Sequence, residues 1–393
     1  MVVNLRASSS FIGAALSKVV NAASFFVSDI SDYTKSEILN FLEKKNIESE
    51  DPKVINLLEK FDCNNLFNNM DTAQIEALKK CYNYIEATEI SLGYRNDQQL
   101  DSKNQFWQQK QIYETFQYVS LIETLKLVIS HENVWQYIES EKSASDNWLC
   151  NFKDDVTFKT HRYFQKYPNA LRIQLYYDDL IVNNPSGSKT QSHKIGALYY
   201  IIQNLPPHLN SFLGGIHVLA LCHTADIEKY GMDAILRPFI YELRKLESDE
   251  GVLISTNGKE RVLRASLAAV TADGLAAHQL FGLLSSAALY FCRLCMINRY
   301  IFHDNQNSIC AIPRTKQLHD EHIKIIEEQV TEKDIENARK HCGVKEKSVL
   351  HENRYFHFTE NYIFDPMHDI FQNVALMEIK LVLNHFITNK EYD

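Results

Sequence analysis

The run Leu171-Arg172-Ile173-Gln174-Leu175-Tyr176-Tyr177-Asp178-Asp179 places Leu171, Ile173, Leu175 and Tyr177 on one side of the backbone and Arg172, Gln174, Tyr176 and Asp178 on the other. A period of two is the side-chain repeat of a β-strand, so the run reads as a half-buried strand that delivers a carboxylate at its C-terminal end. Beyond an Asn184-Pro185-Ser186-Gly187 loop, residues 194–203 (KIGALYYIIQ) and 215–222 (GIHVLALC) supply two further β-rich runs, and residues 224–246 read as helix. Asn257-Gly258 then separates residues 252–256 from residues 260–272, a strong short-range hairpin signal. The second arm ends on Asp273, and an apolar helix is expected over residues 274–291.

Three strands, a helix, a strand and a helix, with acids ending the first and fourth principal strands, is the element order of a ribonuclease H-like α+β (or α/β) domain. The preceding region reads as helical. Residues 37–45, 52–61 and 72–85 carry apolar side chains at three and four spacing behind the potential caps Ser36, Asp51 and Asp71, and residues 113–137 read as the longest helix there. Residues 96–108 are polar and aperiodic, as in a loop. The expected organisation is a helical N-terminal region at 1–150, the first part of the core at 151–290, a zinc-binding-like insertion at 291–355 and a final helix at 356–393.

Composition narrows the function. With 45% apolar residues and only 12 Gly and 8 Pro in 393 residues, collagen-like and wholly disordered chains are excluded. A net charge of −9 supplies no overall attraction to phosphate, so any nucleic-acid contact must be local. Eight scattered Cys suggest free thiols or a metal site in a reducing compartment. Two apolar stretches, residues 8–27 and 274–297, are interrupted by Lys18 and Asn21 and by His278, Gln279, Ser285, Ser286 and Arg293. Such groups are costly in hydrocarbon, so the expectation is a soluble intracellular protein with no membrane partner.

Three constellations carry chemistry. Asp178 and Asp273 end two strands that one sheet would bring together, and two hard divalent cations could divide their charge for in-line phosphoryl transfer; strand-end aspartates also serve as plain turn formers and caps. Cys292-Arg293-Leu294-Cys295 precedes His319-Asp320-Glu321-His322, and two thiolates with two imidazoles from one helical face suit tetrahedral Zn²⁺, with His303, His341 and Cys342 as rival ligands. In Asn361-Tyr362-Ile363-Phe364-Asp365-Pro366-Met367-His368-Asp369-Ile370-Phe371-Gln372-Asn373-Val374, Asp365-Pro366 is a helix start. Asp365, His368, Asp369 and Gln372 would then form one polar stripe, and the helix would run on to Phe386.

The chain resembles the transposases of CACTA (En/Spm)-type DNA transposons, in their animal transposase-like branch. The resemblance rests on ETFQYVSLIETLKLV from Glu114, LYYDDLIVNNPSGSKTQSHKIGALYY from Leu175, NLPPHLNS from Asn204, LRPFIYELRKLE from Leu236, VTADGLAAHQLFG from Val270, FCRLC from Phe291 and NYIFDPMHDIFQNV from Asn361. It implies DNA strand cleavage and transfer with Mg²⁺ or Mn²⁺ on a ribonuclease H-like domain, terminal inverted repeats as the DNA partner, self-association and a nuclear location. Asp178, with Asp179 as its alternative, would be the first metal-binding acid and Asp273 the second. The Cys292/Cys295 pair would belong to a structural zinc insertion before the last acid. The family's final motif resembles D-x-M-H-D-x-x-E-G, and here Gln372 and Asn373 stand in its last two positions. Gln372 is neutral, which weakens a site for dications, and Asp369 is the substitute one turn earlier. The chain ends at Asp393, earlier than such a domain is expected to. The expectation is therefore a transposase-derived protein, with a catalytically inactive relic or domesticated interaction protein as the alternative.

Overall fold

The computed structural model describes residues 35–42, 44, 84–100, 107–141, 151–181, 194–256, 258–304 and 311–389. The chain divides into two compact units, Met1–Ile85 and Glu86–Asp393. In the first, residues 35–42 are helical, where a helix is expected; the expected helix at 52–61 lies outside the described residues, as does the one at 72–85 apart from Tyr84 and Ile85, which are not helical.

The second unit is built on a seven-stranded sheet of order β1-β2-β5-β4-β3-β8-β9. Its strands are β1 (Thr88–Leu100), β2 (Trp107–Tyr118), β3 (Leu171–Ile181), β4 (Lys194–Ile202), β5 (His217–His223), β8 (Ala265–Ala272) and β9 (Tyr362–Ile363); β6 (Val252–Thr256) and β7 (Lys259–Leu263) pair separately. β1 through β5 meet their neighbours antiparallel, whereas β8 runs parallel to β3 and β9 parallel to β8. A parallel neighbour requires a crossover, here supplied by α2 (Thr224–Tyr230) and α3 (Met232–Glu247), counted after α1 (Leu121–Ile129).

Residues 88–100 and 107–118 overturn both the helical reading of that region and, at 96–100 and 107–108, the loop reading: they pair as β1 and β2, with Thr88 opposite Tyr118 and Leu100 opposite Trp107. Glu114, Phe116 and Tyr118 are buried while Tyr113 and Gln117 are exposed, a period of two that the helical run beyond it had masked. Helix starts only at α1, where the Ser120 hydroxyl accepts from the Glu123 N–H at 3.2 Å. The single helix expected over 224–246 is two, because Gly231 at φ 86° and ψ 152° breaks the ladder between α2 and α3. Likewise the second hairpin arm is two strands, β7 and β8, meeting at Arg264, and the helix expected over 274–291 stops as α4 (Gly274–Leu280).

The β3 strand is half-buried, as its alternation implies: Leu171, Ile173, Leu175 and Tyr177 are buried, and on the opposite face Gln174, Tyr176 and Asp178 are only partly so, with Arg172 the buried exception. Ile173, Leu175 and Tyr177 join a large cluster with Leu236, Phe239 and Leu243 of α3, and a second cluster of Phe158, Tyr163, Phe164, Ala170 and Ala268 gathers separately. Arg172, fully buried, carries its guanidinium 5.6 Å from the Phe158 ring and pairs with Glu141. Between β8 and β9 lie α4, the helices α5 (Lys316–Glu327) and α6 (Glu332–Cys342), and short turns. After β9 comes a π-helix, Met367–Val374, continued by α7 (Ala375–Asn389). Among the described residues no helix is long and apolar enough to cross a membrane.

Candidate active site

Parallel pairing of β3 with β8 sets the acids side by side. Tyr177 is the partner of Ala272, so Asp178, three residues before the end of β3, and Asp273, the first residue past β8, are the next residues along two neighbouring parallel strands. Asp273 also caps α4, its Oδ1 accepting from the Ala276 N–H at 2.6 Å. The plain capping reading therefore holds for this residue. Burial pushes the Asp178 carboxyl above its usual range, Asp273 and Asp179 push it the same way, and the Asp179 N–H and His368 only partly offset this.

The alternative Asp179 faces the other side of the strand. Its Oδ1 accepts from the Tyr177 hydroxyl at 2.9 Å and the Thr224 hydroxyl at 3.1 Å, which leaves Asp178 as the acid turned toward Asp273. Behind Asp178, Tyr176 and Tyr199 stack with ring centroids 5.3 Å apart.

The third contribution comes from the segment after β9. Asp365 Oδ1 accepts from the Met367 N–H at 2.9 Å, and its Oδ2 lies 2.6 Å from His368 Nδ1. That hydrogen bond raises the His368 pKa, against the pull of burial and helped by the charges of Asp365, Asp178 and Asp273, so the carboxylates around it favour its protonated form. Burial pushes the Asp365 carboxyl up, but His368 and the backbone N–H groups outweigh it and hold it below its ordinary value. Asp369 Oδ1 lies 3.6 Å from Arg293 Nη2, and the Arg293 guanidinium also lies over the Tyr362 ring at 5.1 Å.

Winding separates Gln372 from this group. The segment is π-helical, and Asn373 Nδ2 reaches back five residues to the His368 carbonyl at 2.6 Å. A π-turn takes roughly one residue more than an α-turn, so position i+7 no longer returns to the face of Asp365. Gln372 is exposed, whereas Asp365, His368 and Asp369 are half-buried. Asp178, Asp273 and Asp369 offer hard oxygen donors, and Asp369 Oδ2 is buried without a hydrogen-bond partner. Carboxylate oxygens are the donor type that Mg²⁺ and Mn²⁺ take, but among the described residues these acids do not form a group of three with ligand atoms within 4.8 Å of one another; the group that does is His319, His351 and His357.

The thiol and imidazole ligands expected for zinc share a neighbourhood but no ligand group. The Leu294 N–H donates to Cys292 Sγ at 3.4 Å, and the Cys295 thiol is pushed up by burial and then by Cys292. Arg314, only 3% exposed, is the common electrostatic neighbour of Cys292, Cys295, His319 and His322. Cys342, a rival ligand, offers its carbonyl to Arg314 Nη1 at 3.1 Å. Of the other rivals, the His303 side chain lies outside the described residues. His319 instead joins His351 and His357, the group of three whose donor atoms all lie within 4.8 Å of one another among the described residues.

Arg293, His351 and His357 escaped the sequence reading as site residues. Arg293 drew notice only as a charge within an apolar stretch, and the two histidines lack a short metal-ligand spacing to the Cys pair. No family model matches the chain, and no curated protein matches it.

Proposed function

We propose that the second unit is a ribonuclease H-like catalytic core derived from a CACTA-type transposase, suited to metal-dependent cleavage and joining of DNA strands in the nucleus. The observation that carries this reading is the register of β3 against β8, which sets Asp178 beside Asp273 at the C-terminal edge of the sheet. Three antiparallel strands flanked by two parallel ones, in the order β5-β4-β3-β8-β9, supports it as the arrangement such a core requires. Asp178, Asp273 and Asp369 would hold Mg²⁺ or Mn²⁺, which when bound supplies Lewis-acid stabilisation and a more acidic oxygen nucleophile. The chain's own contribution is positional. Asp273 is fixed by its cap bond, His368 holds a proton against Asp365, and Arg293 orients Asp369.

The test is nicking of duplex DNA bearing the terminal inverted repeats, with Mg²⁺ or Mn²⁺. Asp273→Asn keeps the capping geometry and is expected to reduce the rate by roughly a hundredfold or more, since the lost charge stabilisation amounts to several kcal/mol. Nicking that persists in Asp273→Asn would remove the proposal.

A second reading, a catalytically silent interaction protein, is favoured by one feature: the acids after β9 already have internal cations, Asp365 from His368 and Asp369 from Arg293. It expects no metal-dependent nicking from the unmodified chain or from Gln372→Glu. Restored nicking in Gln372→Glu would instead identify a decayed enzyme.

A further inference from the structure

His319 is the most unusual polar side chain in the insertion between β8 and β9. It has no exposed surface, and neither ring nitrogen has a hydrogen-bond partner. Buried polar atoms are nearly always satisfied, so an orphaned imidazole in a packed core asks for an absent partner. His351 and His357 aim at the same place. The Nε2 atom of each is buried and without a hydrogen-bond partner, and one donor atom from each of the three histidines lies within 4.8 Å of the other two. The rings of His351 and His357 stack at 4.3 Å, and His319 meets both edge-on at 5.2 and 5.4 Å.

We propose that His319, His351 and His357 form a transition-metal site with three nitrogen ligands, fitted to Zn²⁺ or Co²⁺, distinct from the acid site and independent of Cys292 and Cys295. Imidazole nitrogen selects borderline ions such as zinc over Mg²⁺ and Ca²⁺. His357 Nδ1 accepts from the Thr359 N–H at 3.3 Å and lies 2.7 Å from the Thr359 hydroxyl, so ligation through Nε2 requires the ring proton to move to Nδ1 and turn to that hydroxyl. Asp320 Oδ1 lies 3.7 Å from His357 Nε2, but this exposed carboxylate is not one of the residues whose donor atoms gather, so the site is built on the three imidazoles. The ligands come from three separate elements: α5, the short helix Val349–Glu352 and the cap of Phe358–Asn361, which leads directly into β9. A bound ion would thus pin the insertion to the strand that precedes Asp365 and Asp369, a structural role in keeping with its burial.

The test uses the full chain, without a polyhistidine tag, stripped of metal and reconstituted with Zn²⁺ or Co²⁺. About one tightly held ion per chain is expected by elemental analysis, and a Co²⁺ spectrum without a thiolate-to-cobalt charge-transfer band in the near ultraviolet. The Cys292→Ser/Cys295→Ser double variant and Asp178→Asn should retain the ion, and His351→Ala and His357→Ala should lose it. Should the histidine variants fail to fold, a rise in the Tm of the stripped native chain on adding Zn²⁺, kept by the double Cys variant, supports the site. A thiolate band, loss of the ion in the double Cys variant or in Asp178→Asn, or no binding by the native chain would each overturn it.

Discussion

Single carboxylates in this protein owe their chemistry to where the chain leaves them. Asp178 carries a raised pKa because it is partly desolvated beside Asp273, and Asp179, its neighbour in sequence, uses its Oδ1 to accept from the Tyr177 and Thr224 hydroxyls on the opposite face. Glu247 shows the same physics away from the site. It is 8% exposed, and burial pushes its carboxyl to about 7 against the pull of the Ser266 hydroxyl and the Leu267 N–H. A raised acid means that the folded chain binds more protons than the unfolded one. Its stabilising contribution is therefore complete below the unfolded value of 4.5 and is lost as pH rises through about 7. Between pH 5 and pH 8 Glu247 should account for a fall of about 2 to 3 kcal/mol in stability, which Glu247→Gln should remove; urea unfolding at the two pH values checks this.

Element boundaries are set by a few backbone positions. Gly231 separates α2 from α3 at φ 86° and ψ 152°, a region open essentially only to glycine, and a Cβ there would meet nothing within 4 Å. The penalty of Gly231→Ala is therefore conformational rather than steric. It should cost about 1 to 3 kcal/mol, read as a lower urea midpoint with an unchanged slope. Downstream, the π-helix decides which acids face the site. It turns Gln372 outward while leaving Asp369 beside Arg293. If the second unit nicks DNA, Gln372→Glu should change the rate by no more than about twofold, whereas Asp369→Asn should lower it by roughly a hundredfold.

At the scale of the molecule, the two faces of the sheet are stabilised differently. One is an aliphatic and aromatic layer under α1 and α3; near the other a buried cation is neutralised, Arg172 pairing with Glu141, which also lies 3.2 Å from Lys153. Breaking such a pair strands a buried charge. Glu141→Gln should therefore destabilise the second unit by about 3 to 5 kcal/mol, more than a surface ion pair would, as measured by equilibrium denaturation.

Local chemistry was legible where neighbouring residues alone decide it. The strand period of 171–179, the Asn257-Gly258 turn and the Asp365-Pro366 helix start follow from side-chain alternation and allowed backbone angles, and the structure has strands, hairpin and helix there. Residues 113–118 were misread because a strand running directly into a helix blends the two periods, and only pairing with β1 and β5 selects the first. Contacts between distant parts of the chain decided the rest. The parallel register joins Asp178 to Asp273, the π-turn excludes Gln372, and burial gathers His319, His351 and His357 while Arg314 occupies the surroundings of the Cys pair. Spacing along a chain constrains ligands within one turn or hairpin. Across a sheet and an insertion, packing chooses the neighbours.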